Sequence, residues 1–239
     1  MTEKIVGIIG GMGPEATVDL MQRIIDLTPA LDDMDHIRCV VDNNPKVPSR
    51  IKAIIEGDGE DPGPCMADMA KRLEAFGADF LVIACNTAHY YYDAVQQAVR
   101  IPVINLIDLV AGHIKEIFPE QDKIGILASP AVAMTKLYTR RFESLGIKDI
   151  WPDPEYQDRL FTVIKGVKKK EDIALLWPAY KSVCENLLHK GVQTAVIACT
   201  ELSIINGTLP IKTVDAADIL AKEIIRKAKD SKDLLSKTL

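Results

Sequence analysis

Two of the five cysteines in this 239-residue chain repeat each other's surroundings. Cys85 closes the run Ala78-Asp-Phe-Leu-Val-Ile-Ala-Cys85-Asn-Thr-Ala-His89. Cys199 closes Val192-Gln-Thr-Ala-Val-Ile-Ala-Cys199-Thr-Glu-Leu202. Each cysteine stands eight residues after a glycine, Gly77 or Gly191. Each context reads as a helix ending at its glycine, an apolar strand, and a polar turn where the strand stops. A buried parallel strand requires the apolar run but not a cysteine at its carboxyl end, which in open α/β sheets is where ligands bind.

Three chemistries suit such a pair. A disulfide is out of place in a reducing compartment, and no pairing motif accompanies either thiol. Inert buried thiols describe Cys39, Cys65 and Cys184 well, but leave the matched positions unexplained. Two acid/base groups on opposite faces of one carbon explain them best. Inverting a stereocentre needs one group to remove a proton from one face and another to deliver a proton to the other. A thiolate and a thiol, each expected to titrate near neutrality at a helix N-terminus, can exchange those roles without a metal. The α-proton of an amino acid is very weakly acidic, so carbanionic charge must be stabilised as well. The amides after each cysteine, with Asn86, Thr87 and Thr200, are placed for that. Asn86 and Thr87 are good capping residues, so a helix is expected after Cys85, with its N-terminal amides and dipole favouring thiolate. His89, one turn in, either packs and caps or tunes the thiol.

Two further loops leave expected strands. Gly10-Gly-Met-Gly-Pro14 runs from a strand into a helix led by Pro14. Gly11-x-Gly13-x-x-Ala16 fits a loose dinucleotide pattern, but Asp42 lies too far on for the ribose-binding acid. A helix N-terminus binding a carboxylate or phosphate accounts for the loop equally well. After an expected strand at Ile37–Val41, the loop Asp42-Asn43-Asn44-Pro45-Lys46-Val47-Pro48-Ser49-Arg50 is stiff and polar. Arg50 is either an ordinary surface side chain or a bidentate carboxylate clamp.

The elements that carry these residues repeat. Gly57–Gly63 reads as loop, Pro64–Phe76 as an amphipathic helix, and Ile101–Asp108 as a strand followed by a helix to about Phe118. Asp122-Lys-Ile-Gly-Ile-Leu-Ala-Ser129 restarts the N-terminal pattern. Gly7 and Gly125 are 118 residues apart, close to the 114 between the cysteines. Leu209–Asp215 echoes Ile101–Asp108. The whole unit is therefore duplicated. The expectation is two pseudo-symmetric, doubly wound parallel α/β domains, with a site in the cleft between them. Residues 1–100 with 213–239 would form the first and 101–212 the second. The last helix, from Ala217 to about Ala228, would return to the first.

Composition narrows the function classes. A hydrophobic share of 48% and a charged share of 26% suit a soluble globular chain. The net charge of -5 offers no basic footprint for nucleic acid, and Lys168-Lys169-Lys170 reads as a solvated turn. Neither a signal peptide nor a membrane span is visible, which leads to an expected cytoplasmic location. No Cys/His spacing suits structural zinc.

Gly10-Gly-Met-Gly-Pro14, Asn43-Asn44-Pro45, Cys85-Asn-Thr-Ala-His89 and Cys199-Thr-Glu201 together resemble the aspartate racemases of the cofactor-independent aspartate/glutamate racemase family. The resemblance covers nearly the whole chain, with four motifs in order. Glutamate racemases usually begin with Asp-Ser-Gly and carry histidine after the second Cys-Thr, so Gly-Met-Gly-Pro and Glu201 put this chain on the aspartate side. The resemblance implies Cys85 and Cys199 as the catalytic pair. It implies Met12, Gly13, Asn43, Asn86, Thr87 and Thr200 around the substrate, and Arg50 as the clamp on its side-chain carboxylate. A family lysine aligns with Lys168, with Lys165 close by, and Glu201 orients Cys199. It further implies an acidic amino acid as substrate, no pyridoxal phosphate or other cofactor, and relatives that often dimerise. A maleate-isomerase-like enzyme, a non-catalytic carboxylate or nucleotide sensor, and a thiol redox protein are the competing readings.

Overall fold

The computed structural model describes residues 3–205 and 207–229. It contains two parallel four-stranded sheets with flanking helices. The first holds β1 (Val6–Gly10), β2 (Cys39–Asn43), β3 (Phe80–Ile83) and β4 (Val103–Ile104), in the order β2-β1-β3-β4. The second holds β5 (Lys123–Leu127), β6 (Lys148–Ile150), β7 (Thr194–Ile197) and β8 (Lys212–Asp215), in the order β6-β5-β7-β8. The two orders are the same once the strands are renumbered, as the sequence repeat requires. The central strands are buried along nearly their whole length, the expected state of parallel strands covered on both faces.

The repeat is kept to the residue. Gly7 of β1 stands opposite Leu81, and Gly125 of β5 opposite Ala195. Cys85 and Cys199 each lie four residues beyond those partners. Both glycines are there for close approach. A Cβ at Gly7 would lie 2.4 Å from the Leu81 side chain, and one at Gly125 3.0 Å from Ala195 and Leu187.

Helices α1 (Pro14–Leu27), α2 (Pro62–Ala75) and α3 (Tyr92–Ala98) accompany the first sheet. With the second come α4 (Leu106–Ile117), α5 (Pro130–Thr135), α6 (Leu137–Glu143), α7 (Pro154–Lys168), α8 (Ile173–His189) and α9 (Thr200–Ser203). The chain divides into two compact units. The first comprises the chain through Ala53, Asp58–Leu106 and the stretch from Ala217 onward; the second comprises Ile54–Gly57 and Ile107–Ala216. The last described helix, α10 (Ala216–Ala228), is tied into the first unit. Arg23 of α1 pairs with Asp218, and the Lys4 amide donates to the Ala228 carbonyl at 3.0 Å.

Several boundaries differ from expectation. α2 begins at Pro62 rather than Pro64, because the Asp61 carboxylate accepts the Gly63 amide at 2.8 Å and caps the helix two residues early. β2 runs to Asn43 because β1 pairs with it from Cys39 to Asn43. Ile101–Asp108 is a strand only at Val103–Ile104. Leu106, Val110 and Ile114 are buried at helical spacing, so the apolar run crosses from strand to helix without a break in hydrophobicity. No helix among the described residues is long and apolar enough to cross a membrane.

Cys184 of α8 is fully buried, and burial with the Glu185 charge pushes its thiol up to about 12 from an ordinary 9.0. A raised folded-state value stabilises fully below the ordinary value, and that contribution is lost as pH climbs toward the folded one. Urea unfolding should therefore show stability falling by about 1.4 kcal/mol per pH unit above about pH 9 on account of this one thiol. Cys184→Ala should remove that part of the slope.

Candidate active site

In the first unit, β1 ends at Gly10 opposite Asn43, and Ile9 stands opposite Ile83. The turn Gly11–Gly13, the Asn43–Asn44 corner and Cys85 therefore leave the sheet side by side at its carboxyl end. Gly11 adopts a φ of 88°, and a Cβ there would lie 2.2 Å from the Asn44 carbonyl carbon. Its amide donates to the Thr17 hydroxyl at 2.9 Å, which in turn donates to the Gly13 carbonyl at 3.3 Å. The glycines of the dinucleotide-like pattern thus serve close contacts with Asn44 and Thr17. Met12 and Cys85 are both buried and pack with Val47 and Ala88. Asn43 is exposed, Gly13 is half-buried, and the Arg50 guanidinium donates from Nη1 to the carbonyls of Val47 (3.2 Å) and Pro48 (2.7 Å). Those two bonds anchor the arginine to its own loop, with Tyr91 within electrostatic reach.

A 3₁₀ turn, Thr87–Tyr91, follows Cys85, and α3 begins only at Tyr92. Asn86 is buried without capping the turn through its side chain, and Thr87 is half-buried. The α-helix expected directly after Cys85 is thus replaced by a tighter turn, and no α-helix N-terminus stands beside that thiol. His89 explains the turn. The Leu106 amide donates to its Nε2 at 3.1 Å, so Nδ1 carries the proton and donates to the Cys85 carbonyl at 2.8 Å. A buried neutral imidazole therefore joins the Cys85 backbone to the start of α4. Its packing role is the one realised. His89→Phe should cost about 2–4 kcal/mol in urea unfolding, since it strands two buried backbone groups.

The second unit has its own constellation. Cys199 caps α9 and is half-buried, and its thiol donates to Glu201 Oε2 at 3.0 Å. The other oxygen, Oε1, pairs with Lys168 Nζ at 3.1 Å. The Glu201 side chain is 11% exposed and Lys168 49%. The Thr200 hydroxyl lies 3.5 Å from Glu201 Oε2. Packing of Val167 and Leu202 in one apolar cluster brings the end of α7 to α9 and so lysine to glutamate. Lys165 instead rests over the Phe161 ring at 4.5 Å.

The expected thiolate-favouring setting is overturned at Cys199. Burial first, then the charge and hydrogen bond of Glu201, hold this thiol well above its ordinary value, while Lys168 pulls the other way. A helix of four residues, α9, sits beside a carboxylate, and the carboxylate wins. Cys199 is therefore a proton-bearing thiol next to a proton acceptor. All five cysteines are free. Thr17 and Tyr180 carry no sequence signal that singles them out. Yet Thr17 holds the glycine turn, and Tyr180 is buried within electrostatic reach of Cys199 and Asp215.

Comparison with known proteins agrees with this fold. Residues 9–224 match the family described as Asp/Glu/hydantoin racemase. The solved aspartate racemase of Picrophilus torridus is 32% identical, with a TM-score of 0.84 over 99% of this chain and 100% of that one. The broad specificity amino-acid racemase RacX of Bacillus subtilis (strain 168) is 27% identical over 92% of this chain and 96% of its own. An aspartate racemase homologue from Pyrococcus horikoshii OT3, at 22% identity, shares the fold with a TM-score of 0.76 over 95% of this chain and 100% of its own. Two duplicated parallel sheets, each ending in a free cysteine, together with these matches make the chain a member of the Asp/Glu/hydantoin racemase family, whose enzymes are isomerases.

Proposed function

We propose that the enzyme interconverts L- and D-aspartate by moving the α-proton between Cys85 and Cys199, acting on opposite faces of one carbon. The observation that carries this reading is the identical position of the two cysteines, each four residues past the strand partner of a repeated glycine. Likeness to the Picrophilus torridus enzyme supports aspartate as substrate. In this reading Arg50 and Lys168 bind the side-chain carboxylate. Backbone around Met12 and Gly13, with Asn43, Asn86, Thr87 and Thr200, holds the amino group and α-carboxylate. Donors at both strand ends spread the carbanionic charge, so the reaction runs without a cofactor. Five free thiols suit a reducing, cytoplasmic setting.

Kinship with RacX supports a second reading, a wider substrate range that includes glutamate. One methylene is discriminated by only about 1–3 kcal/mol in a pocket. The deciding experiment incubates purified protein with L-aspartate in heavy water with nothing else added. Loss of the α-proton NMR signal in step with decay of optical rotation is the expected result. A retained α-proton sinks the aspartate assignment, and glutamate and maleate are then tried in turn.

A further inference from the structure

Glu201 holds two partners that compete for its charge. Its Oε1 faces the Lys168 ammonium and its Oε2 faces the Cys199 thiol, at 3.1 and 3.0 Å. The lysine is about half exposed, while the carboxylate is almost enclosed. A carboxylate arriving from solvent therefore reaches Lys168 before it reaches Glu201. Among the described residues, Thr200 and Tyr180 also stand near the thiol or its carboxylate partner, and both side chains are uncharged.

We propose that the Lys168–Glu201 ion pair is a substrate-operated trigger: an acidic side chain captures Lys168, and the released Glu201 takes the proton of Cys199. The idea rests on the racemase reading above. Removing the cation raises the proton affinity of both the carboxylate and the thiol, most of all that of Glu201, which Lys168 contacts directly, and the nearest proton is the one on sulfur. The proton moves from Sγ to Oε2, leaving a thiolate and a neutral carboxylic acid. The thiolate then takes the α-proton and becomes thiol again, while Cys85 protonates the other face and becomes thiolate. After product leaves, Lys168 returns to Glu201, whose proton passes through solvent to Cys85. Protons and charges balance over the cycle. In this scheme an acidic substrate is selected in the chemical step as well as in binding. A neutral amino acid can occupy the site yet leave Cys199 protonated, lowering kcat rather than raising KM.

The test is difference infrared spectroscopy of the whole protein with ¹³C-labelled succinate, a dicarboxylate with no α-amino group. Binding is followed in parallel by calorimetry, and Cys199→Ala assigns the S–H band. Saturating succinate should abolish the Cys199 S–H stretch and produce a protonated-carboxyl band. Glu201→Gln should lose both responses, and in Lys168→Met the Cys199 S–H band should already be absent, and a protonated-carboxyl band present, before succinate is added. Persistence of the band in unmodified protein with succinate bound overturns the proposal, as does an intact S–H band in ligand-free Lys168→Met. A protein that does not bind succinate overturns it too. If α-proton exchange with aspartate proceeds while the band persists, the trigger falls and the racemase stands. If exchange itself is missing, the racemase reading has failed.

Discussion

Cys199→Ser and Cys85→Ser should each lower aspartate racemisation by about 10³-fold or more, the upper range of what one positioned acid/base group supplies. A serine hydroxyl is too weak an acid to alternate between donor and acceptor near neutral pH. The informative result is the asymmetry left behind. An enzyme lacking one thiol can still remove the α-proton from the face that the other thiol serves. Solvent deuterium should then enter one enantiomer without inversion, and the other enantiomer should keep its proton. The two single variants should show opposite preferences. Proton NMR of each enantiomer in heavy water, alongside optical rotation, reads both quantities. Equal exchange of both enantiomers by either variant would rule out the two-face assignment.

Gly11→Ala should be the most damaging small substitution outside the cysteines. The added methyl would lie 2.2 Å from the Asn44 carbonyl carbon and 2.5 Å from its amide nitrogen, and both are backbone atoms that no rotamer change can move. The φ of 88° adds its own cost. We expect a loss of about 3 kcal/mol or more in denaturant unfolding, together with displacement of the Asn43–Arg50 loop. The contrast is Gly77→Ala. That residue also has positive φ, 103°, but its Cβ would meet nothing within 4 Å. It should cost only the backbone term, about 1 kcal/mol. A Gly11→Ala protein as stable as Gly77→Ala would show that the close approach carries no weight.

The duplicated fold was legible because strand, glycine and cysteine recur together, and parallel strands buried on both faces leave unbroken apolar runs. Boundaries were less legible where one apolar stretch serves two elements in succession. Val103–Asp108 changes from strand to helix with no polar residue marking the change except Asn105. Candidate site residues could be proposed from the sequence, but the charges around them could not. The acidity of Cys199 depends on which oxygen of Glu201 faces sulfur and on Lys168 arriving from another helix, and these are distances between segments. His89 is a similar case. Its spacing from Cys85 suggests a helical neighbour, whereas its partner, the Leu106 amide, lies 17 residues on.

The placement of α10 has a consequence for synthesis. The second unit is drawn almost entirely from the continuous stretch Ile107–Ala216, so it leaves the ribosome complete. The first has its four strands translated early, yet it lacks the helix bearing Asp218 until the second unit has been made. Arg23 pairs with Asp19 of its own helix from the start and gains Asp218 only 195 residues later. The later-translated unit can therefore finish folding first, and the earlier one is held open until its last helix arrives. Chains truncated just before Ala216 and released from the ribosome should have a protease-resistant second unit and a protease-sensitive first.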